Sequence, residues 1–269
     1  MSFRLPIFLF ILVSFLQPAL AEDSSFQRFV KTEEQILSHE QQLSKMASAL
    51  EEWLSGRSKR SVLLETLKQV ESATSRPPSL PAMTQKAVES SERDMLRLVR
   101  EFATSKDPDG DGQRRLFSGM SQTTEKRTLA LLSWRTATVK ELLSRKLPAD
   151  RASQLIWEAA WYPIWAEEAK YTRRLQAGLL EEVTRDQTDI LKGLLALRVR
   201  AQAIPCPPRL TELQKMSLER LTLLARTAEQ LLRLEKRQSR GALTRVRRLS
   251  RKLSDLTEQF QSRRLELLP

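Results

Sequence analysis

His39 is the single histidine of the 269-residue chain, so two- and three-histidine metal sites are excluded and any Ser-His-Asp or Cys-His arrangement would run through that one ring. It stands beside an apolar helical stripe, where an ordinary, partly exposed histidine is expected. Cys206 is the only cysteine, so no intrachain disulfide can form; placed in a turn, it could at most join two chains. The sequence has no glycine-rich phosphate loop and no nucleophile elbow. Adjacent carboxylates such as Glu167 and Glu168 diverge on a helix rather than converge on a substrate. This residue set points away from an enzyme.

Three other clusters could carry a function. Asp107-Pro108-Asp109-Gly110-Asp111-Gly112 matches the first half of a helix-flanked calcium loop, with oxygen ligands Asp107, Asp109 and Asp111 at positions one, three and five and glycine at six. The twelfth position is Ser118 instead of a bidentate glutamate, and Arg114 and Arg115 repel a cation. Calcium, the one cofactor considered, would therefore bind weakly. Trp157, Trp161 and Trp165 recur every four residues, which lines them along one helix face as core, or as an aromatic groove opened by a kink at Pro163.

The third cluster is charge. Residues 209–269 hold 15 Lys and Arg against 7 Asp and Glu, which accounts for most of the chain's net +12. If 233–252 formed one continuous helix, Arg233, Lys236, Arg237, Arg240, Arg247, Arg248 and Arg251 would share one side, opposite Val246, Leu249, Leu253, Leu256 and Phe260. Glu235 is the only acid in that stretch, so the like charges lack the i,i+4 partners that would dilute them. Such a face is expected to meet an anionic surface or an acidic protein. A smaller basic cluster, Arg57-Ser58-Lys59-Arg60, fits a furin-type processing pattern.

These residues must be positioned by helices. Glycine numbers only seven, β-branched runs are missing, and Leu, Ala, Glu, Arg and Gln dominate. Ile36, Leu43, Ala47, Leu50 and Leu54 form one stripe ending at Ser55-Gly56, and a second helix covers about 58–72. Residues 74–83 read as a proline-rich linker. Val88, Ser91, Met95, Leu98 and Phe102 line a third helix that stops at the polar loop 107–115. A fourth carries Leu129, Leu132, Thr136, Val139 and Leu143 and ends near Pro148. From Asp150 to Ala203 the only strong breaker is Pro163, which predicts one long kinked helix or two coaxial ones. The prolines at 205, 207 and 208 then redirect the chain. Near Gly241 the apolar register shifts by four residues, a stutter or a break. The expected fold is all-α: an elongated helical bundle, with an N-terminal helical region at 22–148 and a long antiparallel C-terminal hairpin over 149–269.

Residues 1–21 combine Arg4, an apolar run from Leu5 to Leu16 and Ala19-Leu20-Ala21, the pattern of a cleaved signal peptide. The expectation is an exported protein, periplasmic or extracellular, with the mature chain starting near Glu22. Its expected function is a non-enzymatic helical scaffold, adaptor or chaperone-like binder; its partners are another protein, an anionic surface reached by peripheral membrane contact, or a second copy packed through the long helices. The alternative function is a peripheral binder of lipid headgroups, lipopolysaccharide or nucleic acid through the basic C-terminal helix.

Overall fold

The computed structural model describes residues 5–105, 110–145, 147–181, 185–237 and 240–267, with side chains from residue 24 onward except 110, 177–181, 185–186, 234–237, 240–244 and 247. Among the described residues there are eight α-helices and no strand: α1 (Leu5–Leu54), α2 (Arg60–Thr74), α3 (Ala82–Thr104), α4 (Gly110–Leu143), α5 (Ala149–Glu181), α6 (Arg185–Gln202), α7 (Thr211–Arg237) and α8 (Arg240–Glu266). A 27-residue helix such as α7 is about 40 Å long, so the bundle is built from long parallel rods.

Local chemistry sets the breaks. After α1, Gly56 takes φ 72°, and the amides of Gly56 and Arg57 bond back to the carbonyls of Trp53 and Glu52, each at 2.9 Å. This is a Schellman stop, and it requires the residue without a Cβ. Prolines 77, 78 and 81 keep the α2–α3 link extended, and the Pro205–Pro208 stretch does the same between α6 and α7.

Neighbouring helices run antiparallel. Glu167 meets Arg200 at 2.9 Å across α5 and α6, and Tyr171 covers Gly193, where an added Cβ would lie 2.1 Å from the tyrosine oxygen. The 150–203 segment is therefore not one long helix or two coaxial ones. Leu175, Ile190 and Leu194 fold onto one another and onto α7, and burying both faces outweighs the helix propensity that would run straight on. Glu212–Arg263 and Glu219–Lys252 pair α7 with α8 in descending order. Among the described residues from Ala149 onward, α5 packs antiparallel to α6 and α7 to α8, and α7 ends at Arg237 while α8 begins at Arg240, close to the register shift near Gly241.

The circuit closes on itself. Arg264 of α8 reaches Glu33 of α1 at 2.9 Å, and Arg251 reaches Glu51. At one end a single large core, from Phe26 and Phe29 through Trp157 and Trp161 to Phe260, unites α1, α3, α4, α5, α6, α7 and α8. Toward the other end it divides into two: Met46, Leu67, Val99 and Phe102 in α1–α4, and Leu175, Ile190, Leu224 and Val246 in α5–α8. Two positions of the expected stripes point outward. Ala47 is exposed beside buried Met46, and Thr136 is exposed beside buried Arg135.

No described helix is long and apolar enough to cross a membrane.

Candidate functional site

The largest concentration of chemistry is inside the shared core. Glu33 follows Phe26, Phe29 and Val30 on the inward face of α1 and is 2% exposed. Arg135 of α4 grips it with Nε at 2.7 Å and Nη2 at 2.8 Å, and Arg264 Nη1 adds a third bond. Arg264 Nη2 donates to Glu158 of α5 at 2.7 Å. Tyr162 Oη and Gln154 Nε2 donate to the same carboxylate at 3.1 and 3.2 Å. Arg209, just ahead of α7, completes the seam by bonding Gln154 at 3.0 Å. Two carboxylates and two guanidiniums thus cancel one another across α1, α4, α5 and α8.

The electrostatics fix the protonation states. Burial alone would raise the Glu33 carboxyl pKa, but the charges of Arg135 and Arg264 and their hydrogen bonds outweigh it and hold it at about 2. Burial raises the Tyr162 hydroxyl well above its ordinary value, and the Glu158 charge adds to this. Arg264 is raised despite its burial, because Glu158 and Glu33 face it.

A second polar cluster lies between α1, α3 and α4. His39 is buried at 5% exposure, not partly exposed as its place in the sequence suggests. Its Nε2–H donates to the Arg76 carbonyl at 3.0 Å, while Nδ1 lies 3.1 Å from Glu92. Arg127 bonds Glu92 at 3.0 Å and Glu40 at 3.2 Å. Burial would raise the Glu92 carboxyl, but the His39 hydrogen bond and the Arg127 charge leave it below the ordinary value. The histidine ties the α2–α3 linker to the bundle.

The tryptophans are core. Trp157, Trp161 and Trp165 are 1%, 0% and 8% exposed, with ring centroids 5.6 to 6.3 Å apart. At these three rings the structure shows packing instead of an open groove: Pro163 faces outward from the same helix, and Gln214 of α7 and Phe260 of α8 pack against the indoles. Trp157 Nε1 donates to Gln214 at 3.0 Å, and Gln214 in turn bonds the Ile204 carbonyl at 3.2 Å, securing the α6–α7 turn. Phe260 closes the stack against Trp165. Beside it Glu168 bonds Arg220 at 2.7 Å, and burial raises this carboxyl despite that partner.

Asp107 and Asp109 of the calcium loop lie outside the described residues. Asp111 stands in the first turn of α4, three-quarters exposed and 3.4 Å from Arg114. Among the described residues no group of His, Cys, Asp or Glu could hold a metal ion. Cys206 is half-buried, and burial raises its thiol pKa, which keeps it protonated and less nucleophilic.

The basic stretch does not form one continuous face. Arg233 is near the end of α7, and Arg248 and Arg251 are on α8, the helix packed antiparallel against it. Lys236, Arg237, Arg240 and Arg247 lie outside the described side chains. All three described arginines are exposed. Arg233 bonds Glu229 within its own helix at 2.5 Å, and Arg251 bonds Glu51 of α1. Inward, Val246, Leu256 and Phe260 are buried, and the same row ends in Arg264.

The comparisons with protein families, curated proteins and solved structures gave no match, so the site stands on its own geometry.

Proposed function

We propose that this chain is a non-enzymatic helical interaction protein, exported to the periplasm or cell envelope, where it serves as a scaffold, adaptor or chaperone-like binder. One observation carries the reading: Glu33, Glu158, Tyr162, His39 and Glu92, interior groups with proton or nucleophile chemistry, are engaged by one another or by buried arginines. What the bundle offers outward is charge on long rigid rods. The test is a photocrosslinking amino acid at Arg248, with Ser133 on the outer face of α4 as control, followed by fractionation of the native host. Discrete adducts from the envelope fraction at Arg248 and not at Ser133 support the proposal. Finding the whole population in the cytosol with residues 1–21 retained sinks it.

A second reading, peripheral binding to an anionic surface through the C-terminal basic segment, draws on Arg233 and Arg251. Their side chains are 59% and 55% exposed and each is held by one carboxylate, and Arg248, one helical turn from Arg251, is exposed as well. Exposed pairs of this kind contribute little to folding, which leaves the charge available to a partner.

A further inference from the structure

The two sides of α6 meet different surroundings. Ile190, Leu194, Leu197 and Ala201 are buried, while Lys192, Leu195, Ala196 and Val199 stand exposed on the opposite side. Leu195 and Val199 are 47% and 66% exposed, and at i,i+4 spacing they lie on one face, one turn apart. Among the described residues three other large hydrophobic side chains are comparably exposed, Val62, Met83 and Ile156, each on a different helix. Single exposed apolar residues are ordinary at a protein surface, whereas a paired row marks a contact face. Charge along this face is ordered too. Asp189 is exposed ahead of the row and Arg200 behind it. About three helical turns separate them, so they share the flank next to α5, where Arg200 meets Glu167 at 2.9 Å.

We infer that this face of α6 binds the same face of a second copy of the chain, with the two α6 helices antiparallel across a twofold axis. A twofold contact needs a patch complementary to itself, and reversal supplies that here. Leu195 lies against the second copy's Val199, and Val199 against its Leu195. The acidic end of each α6 comes beside the basic end of the other, with Asp189 within reach of the second copy's Arg200. Glu167 comes level with the second copy's Lys192 to within about 3 Å along the helix. Each of these contacts occurs twice. Parallel helices would instead oppose Asp189 to Asp189 and Arg200 to Arg200, a like-charge arrangement that costs affinity. The rim carboxylates Glu167 and Asp189 disfavour an anionic surface as the occupant. Cys206 follows the C-terminal end of α6, so this pairing holds the two thiols far apart and no disulfide joins the copies. Self-association through α6 is independent of where the chain resides and of what else it binds.

The experiment is sedimentation velocity on the full chain purified from its native host, from about 1 to about 200 μM, a range that reads a micromolar Kd. The arms are wild type, Leu195→Glu/Val199→Glu, and Met83→Glu as a control at an exposed apolar side chain of α3, each checked by circular dichroism. Wild type and the control are expected to form dimers. The α6 variant is expected to weaken the dimer by about 100-fold, because each new charge enters the contact twice. Orientation is read with a short bismaleimide in a Cys206→Ser background, since Gln202, also exposed, comes level with the second copy's Lys192. Lys192→Cys chains mixed with Gln202→Cys chains are expected to give a cross-linked heterodimer, with neither variant joining to itself. A wild type that stays monomeric across the whole range overturns the proposal, as does a dimer that the α6 variant leaves intact. Lys192→Cys joined to itself, or the lack of any heterodimer, overturns the antiparallel pairing.

Discussion

Arg264 and Arg248 stand on the same helix, sixteen residues apart, and do opposite things. Arg264 is 1% exposed and satisfies two carboxylates from two other helices; Arg248 faces solvent. A guanidinium in the core is tolerated only when counter-charges and hydrogen bonds replace the water it has lost. One at the surface needs nothing and remains free to attract. The chain's strong positive charge is thus divided between a seam that closes the bundle and an outer surface that folding does not require. Where each arginine sits, rather than how many there are, separates structure from recognition.

The comparison breaks most clearly at Arg264. Arg264→Ala would leave Glu33 with one partner and Glu158 with none that is charged, and removing one member of a buried pair costs about 3–5 kcal/mol. Urea denaturation should find this variant strongly destabilised; wild-type stability would mean that the seam is open to water. Trp161→Ala, at a fully buried ring, should cost a similar 3–5 kcal/mol or slightly less, read as a large fall in Tm. Loss of a binding activity with Tm unchanged would return the tryptophans to the role of a groove.

Acid gives the next effect. Glu33 has its folded pKa lowered from 4.5 to about 2, so its contribution to stability is fully present above pH 4.5 and is lost as pH falls from there toward 2. The loss is roughly 3 kcal/mol for a shift of this size. Stability curves measured across that window should slope downward with acid, and Glu33→Gln should flatten the slope. The smallest effect is expected at the surface: Arg248→Gln and Arg251→Gln together should leave Tm unchanged, since exposed arginines add little to folding. A clear drop in Tm would place these residues with the seam.

Much of the fold was legible in the residue pattern. Val88, Met95 and Phe102 on α3 and Val246, Leu256 and Phe260 on α8 are all buried, because a 3.6-residue apolar period states which face turns inward. The α5–α6 reversal was not legible, because nothing local before Arg185 demands a break and the preference comes from tertiary packing. The seam was missed for a different reason: a glutamate or arginine alone reads as surface. A signal was nonetheless present. Glu33 continues the row Phe26, Phe29, Val30; Arg135 stands between Leu131 and Val139; Glu158 lies between Leu155 and Trp161; and Arg264 follows Phe260 by four. A charge in register with a core stripe, matched by opposite charges in the same position on other helices, marks a buried pair. Of the calcium pattern only Gly110, Asp111 and Gly112 lie within the described residues, where they begin α4.

The bond between Glu33 and Arg264 spans 231 residues. During synthesis Glu33 is therefore made 231 residues before Arg264. For nearly the whole passage α1 carries a carboxylate on its apolar face without its full set of counter-charges, so the helix cannot settle into its final burial early. Closure of the seam therefore waits for the last turn of α8, because Glu33 and Glu158 share Arg264 as a partner and keep an incomplete set of counter-charges until it is in place.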